Sequence, residues 1–153
     1  MNWKIIFSTA GSLFIAACTV NPVAEQYLDW SKKCYDGFKS RVEFLAGEEF
    51  NNCGFYDLNA SKRDYLNGVQ CAENAYHSGH PFILGRLDYR ADNYVCETHI
   101  RSNSGSLYKL FLDFDTREGP DKSKSNPTKH EAKCERLDFD GEIISARNCD
   151  FIQ

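Results

Sequence analysis

Three Leu-Asp-aromatic triplets recur 25 residues apart, at Leu87-Asp88-Tyr89, Leu112-Asp113-Phe114 and Leu137-Asp138-Phe139. Carboxylates gathered together can hold a divalent cation or share the acid and base halves of a proton transfer. In a strand, each Leu and its aromatic lie on one face and the Asp on the other. If the three strands are neighbours, Asp88, Asp113 and Asp138 meet on an open face, with Asp115 beside them. Arg86, Lys109 and Arg136 alternate onto the same face, and like charges opposed on a sheet repel. A ladder of solvated ion pairs is therefore the simpler account. No longer repeat surrounds the triplets, so duplication is not supported.

His77 and His80 form an H-x-x-H at the end of a helical segment. A metal centre needs at least one further ligand at defined spacing, and none is evident. Histidines near a helix C-terminus also complement its dipole. His99 falls on the outward side of a strand and His130 ends a loop. The chain holds no G-x-S-x-G, S-x-x-K, H-E-x-x-H or phosphate-binding glycine loop. The reading is of a protein that is not an enzyme, with no catalytic residue, metal or cofactor assigned.

The seven cysteines are more informative. Met1–Lys4 is a short positive segment, and Ile5–Ala17 is an apolar run loosened by Ser8, Thr9, Gly11 and Ser12. A membrane-spanning helix needs ~20 apolar residues, so this run reads as an export signal. Ile15-Ala16-Ala17-Cys18 resembles the lipobox of bacterial lipoproteins, and the resemblance covers the first 18 residues. It implies cleavage before Cys18, lipid on the thiol and on the new amino terminus, and attachment to a membrane. Thr19 is not the aspartate that resembles an inner-membrane retention signal, which favours the outer membrane. Lipidation of Cys18 also leaves an even set: Cys34, Cys53, Cys71, Cys96, Cys134 and Cys149. In an oxidising compartment these form three disulfides. With no C-x-x-C among them, they are structural. Six cysteines permit 15 connectivities among which sequence alone does not choose, and 34–53, 71–96 and 134–149 is the expected set. For the last, a hairpin at Asp140-Gly141 sets the cysteines diagonally on one face.

Removing Met1–Ala17, with its single Lys4 and no acid, leaves 17 basic against 22 acidic residues, a net charge of −5. That balance gives no basic face for nucleic acid. Residues 18–21 make a short tether, on the order of 10 Å if extended, and residues 22–153 are one domain by length.

The elements follow from periodicity. Asn21-Pro22 looks like a helix start, and apolar residues from Val23 through Tyr27, Trp30, Cys34, Phe38, Val42 and Leu45 predict a helix ending at Gly47. Gly37 is a candidate break in it. Residues 48–60 form a polar connection, with a short strand at Gly54-Phe55-Tyr56. Ser61-Lys62-Arg63-Asp64 opens a second helix as a capping box, with Tyr65, Leu66, Val69, Ala72 and Tyr76 on its buried stripe and Cys71 and Ala75 off it. Gly79-His80-Pro81 stops it. Beyond Pro81 the period becomes two, with strands expected over 82–90, 93–101, 106–115, 133–139 and 142–148. The expectation is an α+β fold: two N-terminal helices packed on one face of an antiparallel sheet of about five strands, stabilised by disulfides.

Residues 116–129, TREGPDKSKSNPTK, carry four basic and two acidic side chains in an acidic protein. A connection that long is a candidate binding element, and Lys122, Lys124 and Lys129 are its candidate partner contacts. The composite reading is a lipid-anchored envelope protein that binds a protein partner, in the manner of an inhibitor or immunity-type protein. A structural or assembly subunit of an envelope complex and a periplasmic enzyme are the alternatives. Replacing Cys18 by Ser should block lipidation and release the protein from membranes. Fractionation and intact mass measure this, and a Cys18→Ser protein still tightly held by the membrane would overturn the lipobox reading.

Overall fold

The computed structural model describes Cys34 and residues 36–90, 93–115 and 128–152. The signal segment, Cys18 and its tether, the Ala91-Asp92 turn, Lys122 and Lys124 lie outside the described residues. Helix α1 spans residues 36–46. Phe38, Val42, Leu45 and Ala46 on its buried side cover one face of the sheet. It ends where Gly47 turns into the left-handed region at φ 91°. Gly37 does not break it. A Cβ there would lie 2.8 Å from Cδ1 of Leu112, so glycine allows the close approach of helix to sheet.

Six strands follow: β1 (Asn51–Tyr56), β2 (Phe82–Arg90), β3 (Asn93–Arg101), β4 (Leu107–Asp115), β5 (Thr128–Phe139) and β6 (Ile144–Ile152). They form one sheet in sequence order. β1 runs parallel to β2, and every later pair is antiparallel. Helix α2 (Lys62–His77) makes the crossover between β1 and β2, as parallel neighbours require. Its capping box holds: the Asp64 amide donates to Ser61 Oγ at 3.1 Å, and the Ser61 hydroxyl donates to the Asp64 carboxylate at 2.6 Å. At the other end, His80 N donates to Ala75 O and Gly79 N to Tyr76 O, with Gly79 at φ 77°. That is a Schellman stop.

The α+β class holds, with four corrections. Among the described residues the sheet has six strands, not about five, and is mixed and not wholly antiparallel, because β1, polar, bulged at Gly54 and weak as a strand in sequence, joins parallel to β2. α2 lies between strands and not ahead of them. The helices pack on opposite faces, α1 over Ile83, Leu87, Cys96, Ile100 and Leu112, α2 over Phe82, Leu84, Leu107 and Leu137. Both faces of β2 and β3 are therefore buried, which the unbroken run Phe82-Ile83-Leu84 reflects. Finally, Ala75 is buried and Cys71 half-buried on the packed side of α2, because that helix is embraced more widely than a single stripe.

The sheet curls round α2. That helix packs on β1 and β2, yet Tyr76 also stacks on Phe139 with centroids 5.5 Å apart, and Lys62 pairs with Glu142 at 2.6 Å. The β5–β6 tip thus closes over α2 from the far edge.

Three disulfides fix this arrangement: Cys34–Cys96 ties α1 to β3, Cys53–Cys71 ties β1 to α2, and Cys134–Cys149 crosses the β5–β6 hairpin. The expected 34–53 and 71–96 pairs are thus exchanged, because Cys34 and Cys96 share the α1 side while Cys53 and Cys71 share the other. The third pair stands, but its cysteines sit directly opposite one another. The hairpin loop is Asp140–Ile143, closed by Asp140 Oδ1 accepting from the Glu142 and Ile143 amides, and not the two-residue turn. That lengthening slides the register by two residues and preserves which face each side chain takes.

The bridges span 62, 18 and 15 residues. Chain-entropy reasoning makes the first worth about 4 kcal/mol and the others about 3. Replacing Cys34 and Cys96 together by Ser should therefore cost the most in chemical denaturation. A larger loss from the Cys134/Cys149 pair would contradict an unfolded-state origin.

Candidate functional site

The α2 side of the sheet carries the polar chemistry. On β3, Glu97 and His99 are two residues apart and so share a face, despite lying between Cys96 and Ile100, both fully buried. Leu84, His99 and Lys109 form one row across β2, β3 and β4, and Arg86, Glu97 and Phe111 form the next. His99 Nε2 lies 2.9 Å from one Glu97 oxygen, and Lys109 Nζ lies 3.1 Å from the other. The His99 side chain is 7% exposed and that of Glu97 14%. His99 is not on an outward face: the curled sheet and α2 cover it. Burial pushes the Glu97 carboxyl up, but the hydrogen bond from His99 and the charges of His99 and Lys109 outweigh it, holding its pKa at about 2.

Beside this pair is a cavity of about 50 Å³ bounded by Tyr65, Arg86, Asp88, His99 and Ile144. Arg86 lies over the Tyr65 ring at 4.8 Å and 3.7 Å from Asp88. The Nδ1 of His99 is buried and finds no hydrogen-bond partner among the described residues.

Toward the free edge, the same face becomes aromatic. His130 sits between Phe111 and Phe151, with centroids 6.2 and 6.0 Å apart. Together with Lys109, Ala132 and Ala146 they line a groove of about 440 Å³. Phe151 is 74% exposed and Ile152 45%, on a strand that has no neighbour on its outer side among the described residues.

The sequence-derived candidates fare unevenly. Asp88 and Asp113 do share this face, flanking Val95 in register. Asp138 does not join them. Leu137 and Phe139 pack on the α2 side, so Asp138 points away, 2.8 Å from Arg147 and 3.1 Å from Arg136. The hydrogen bond from Arg147, then the charge of Arg136, hold its carboxyl below the usual range. The ladder of ion pairs is thus partly formed, while Lys109 serves Glu97 instead of an aspartate. His77 lies 3.9 Å from Glu73 and stacks near Phe139. His80 supplies the helix stop. Among the described residues no three His, Cys, Asp or Glu side chains gather as metal ligands. His130 does not end a loop, because β5 begins at Thr128. Lys129 likewise belongs to β5, opposite Leu112 and therefore on the α1 side.

The Glu97–His99 pair was missed although its signal was present, since i and i+2 in a strand share a face. The Phe111–His130–Phe151 shelf joins three strands, and only their register reveals it. These features define a disulfide-tied α+β protein with a polar centre and an aromatic rim on one face. Against known protein families, curated proteins and solved structures, the chain finds no match.

The Glu97 carboxyl is more acidic folded than unfolded, so its contribution is complete above about pH 4.5 and is lost as pH falls toward 2. At ~1.4 kcal/mol per pH unit that is about 3 kcal/mol. Glu97→Gln should start less stable at pH 7 and lose less between pH 4.5 and 2.5. Denaturant titrations at these values measure it, and parallel wild-type and variant curves would contradict the assignment.

Proposed function

We propose that this chain is an exported lipoprotein, anchored through Cys18 in the bacterial envelope, that binds a protein partner. The outer membrane is the favoured site. The partner surface is the β4–β6 end of the curled face, where an extended partner segment adds to the free edge of β6 and lays an apolar side chain on the shelf. The observation that carries this reading is the exposed Phe151 on the strand that forms the sheet edge among the described residues, continuous with Phe111 and His130. Unpaired strand edges are ready templates for a second chain, and exposed aromatic anchors supply most of the energy at such contacts. The Cys134–Cys149 bridge holds the two strands rigid, so little ordering is lost on binding. Three disulfides fit an oxidising compartment. The basic segment 116–129 precedes most of β5 in the chain, and Lys122 and Lys124 remain proposed partner contacts. Lys129, on the other face, is the weaker member.

A periplasmic enzyme is the second reading, favoured by the buried Glu97–His99 pair and the unpartnered His99 Nδ1. It ranks below the first because the residues lining the adjoining cavity include no Ser, Thr or Cys nucleophile.

Oxidised residues 19–153 should capture one dominant partner from native envelope extract, while a reduced and unfolded sample does not. Phe111→Ser with Phe151→Asp should cut that capture at least about tenfold and leave folding intact. Capture unaffected by these changes would remove the shelf as the surface, and capture equal with the unfolded bait would remove the binding reading.

A further inference from the structure

The opposite face holds a second, unrelated feature. Thr98 projects from β3 toward α1, with Gly85 and Leu110 beside it in register and Cys96 and Ile100 on its own strand. It is 2% exposed, and its hydroxyl finds no hydrogen-bond partner among the described residues. Valine would fill the same shape without burying an unpaired hydroxyl, which is costly in an apolar interior. Thr98 lines a cavity of about 120 Å³ between α1 and the β1–β3 strands. The walls are mainly apolar, from Phe38, Val42, Phe50, Phe55 and Ile83, with Asn52 as a further polar lining residue nearer the surface. The Cys34–Cys96 bond and the two-pronged Arg41–Glu131 pair, at 2.6 and 2.7 Å, brace α1 over the sheet. The exposed Lys39 and Glu43 line the cavity from the outer side of the helix.

We propose that this cavity binds a small, uncharged, mainly apolar molecule carrying one hydrogen-bonding group, which pairs with the Thr98 hydroxyl. Size and lining set the class. An apolar cavity of roughly 150 Å³ holds a benzene ring, so the ligand is about one ring or a short branched chain. At the Thr98 end a charged group would lose its hydration against the aromatic walls, because Lys39 and Glu43 carry their charges at the exposed side of the cavity. A buried polar anchor in a mainly apolar pocket fixes orientation, which is the usual build of a small-molecule site. The site is separate from the partner surface, because α1 and α2 cover opposite faces. Its failure therefore leaves the partner reading untouched.

Phenol is the probe and benzene its control, titrated into the full mature chain carrying Cys18→Ser and observed through the Ile83 and Val42 methyl resonances. Phenol should shift these methyls saturably and bind about tenfold more tightly than benzene, the scale of one hydrogen bond. Thr98→Val, which keeps shape and folding, should bind both alike. Val42→Phe, which fills the space, should bind neither. Three outcomes would overturn the proposal: no saturable shift up to the solubility of phenol, meaning a site for water only; equal affinities in the parent chain; or discrimination that survives in Thr98→Val.

Discussion

Burial of β3 on both faces is the constraint on which this structure depends. A strand in the middle of a six-stranded sheet, covered by α1 on one side and by α2 with the β5–β6 tip on the other, has nowhere to place a polar side chain at no cost. Three of its residues are polar in consecutive positions: Glu97, Thr98 and His99. Glu97 and His99 answer burial by pairing with each other and with Lys109. Thr98 faces the other way and has no hydrogen-bond partner among the described residues. The two candidate sites are thus the two faces of one short segment.

Much of the architecture was legible because its signals are local. The Ser61 cap, the Gly79 stop, the end of α1 at Gly47 and the change of period after Pro81 each depend on a few neighbouring residues, and each appears where expected. What failed depended on contacts remote in sequence. Whether helices share a face is decided by β2, where Phe82 and Ile83 point to opposite cores. β1 has little strand character of its own and exists because α2 returns the chain beside β2. The candidate site was readable in part: His99 and Glu97 at alternate positions announce a shared face, but their burial depends on a curl that no periodicity encodes. Asp138 was misplaced for a related reason. β5 and β6 both change which face their alternate residues occupy near Glu135 and Asn148, where Asn148 takes a left-handed φ of 50°.

The same local twist separates two environments along β6. Before it, Ile144 is buried in the core that α2 closes. Beyond it, Phe151 stands exposed on the open groove, and Ala146 and Cys149 touch both. One strand therefore serves stability at its start and exposure at its end, with the Cys134–Cys149 bond at the boundary.

The order of the disulfides has a consequence for how the molecule is made. Cys53–Cys71 is nested within the loop closed by Cys34–Cys96. A chain delivered N-terminus first into an oxidising space presents Cys34, Cys53 and Cys71 before Cys96 arrives. Pairing in order of emergence then gives 34–53, a partnership that the folded protein lacks, although the native Cys53–Cys71 pair, 18 residues apart, is no more distant in sequence. Reaching the native set requires thiolate attack on that early bond and exchange through a mixed disulfide, on a timescale of seconds to hours unless an isomerase assists. The hairpin pair, 15 residues apart and last to emerge, has no such competitor. For a chain delivered in that order, the native set depends on how readily its cysteines reshuffle as well as on how fast they oxidise.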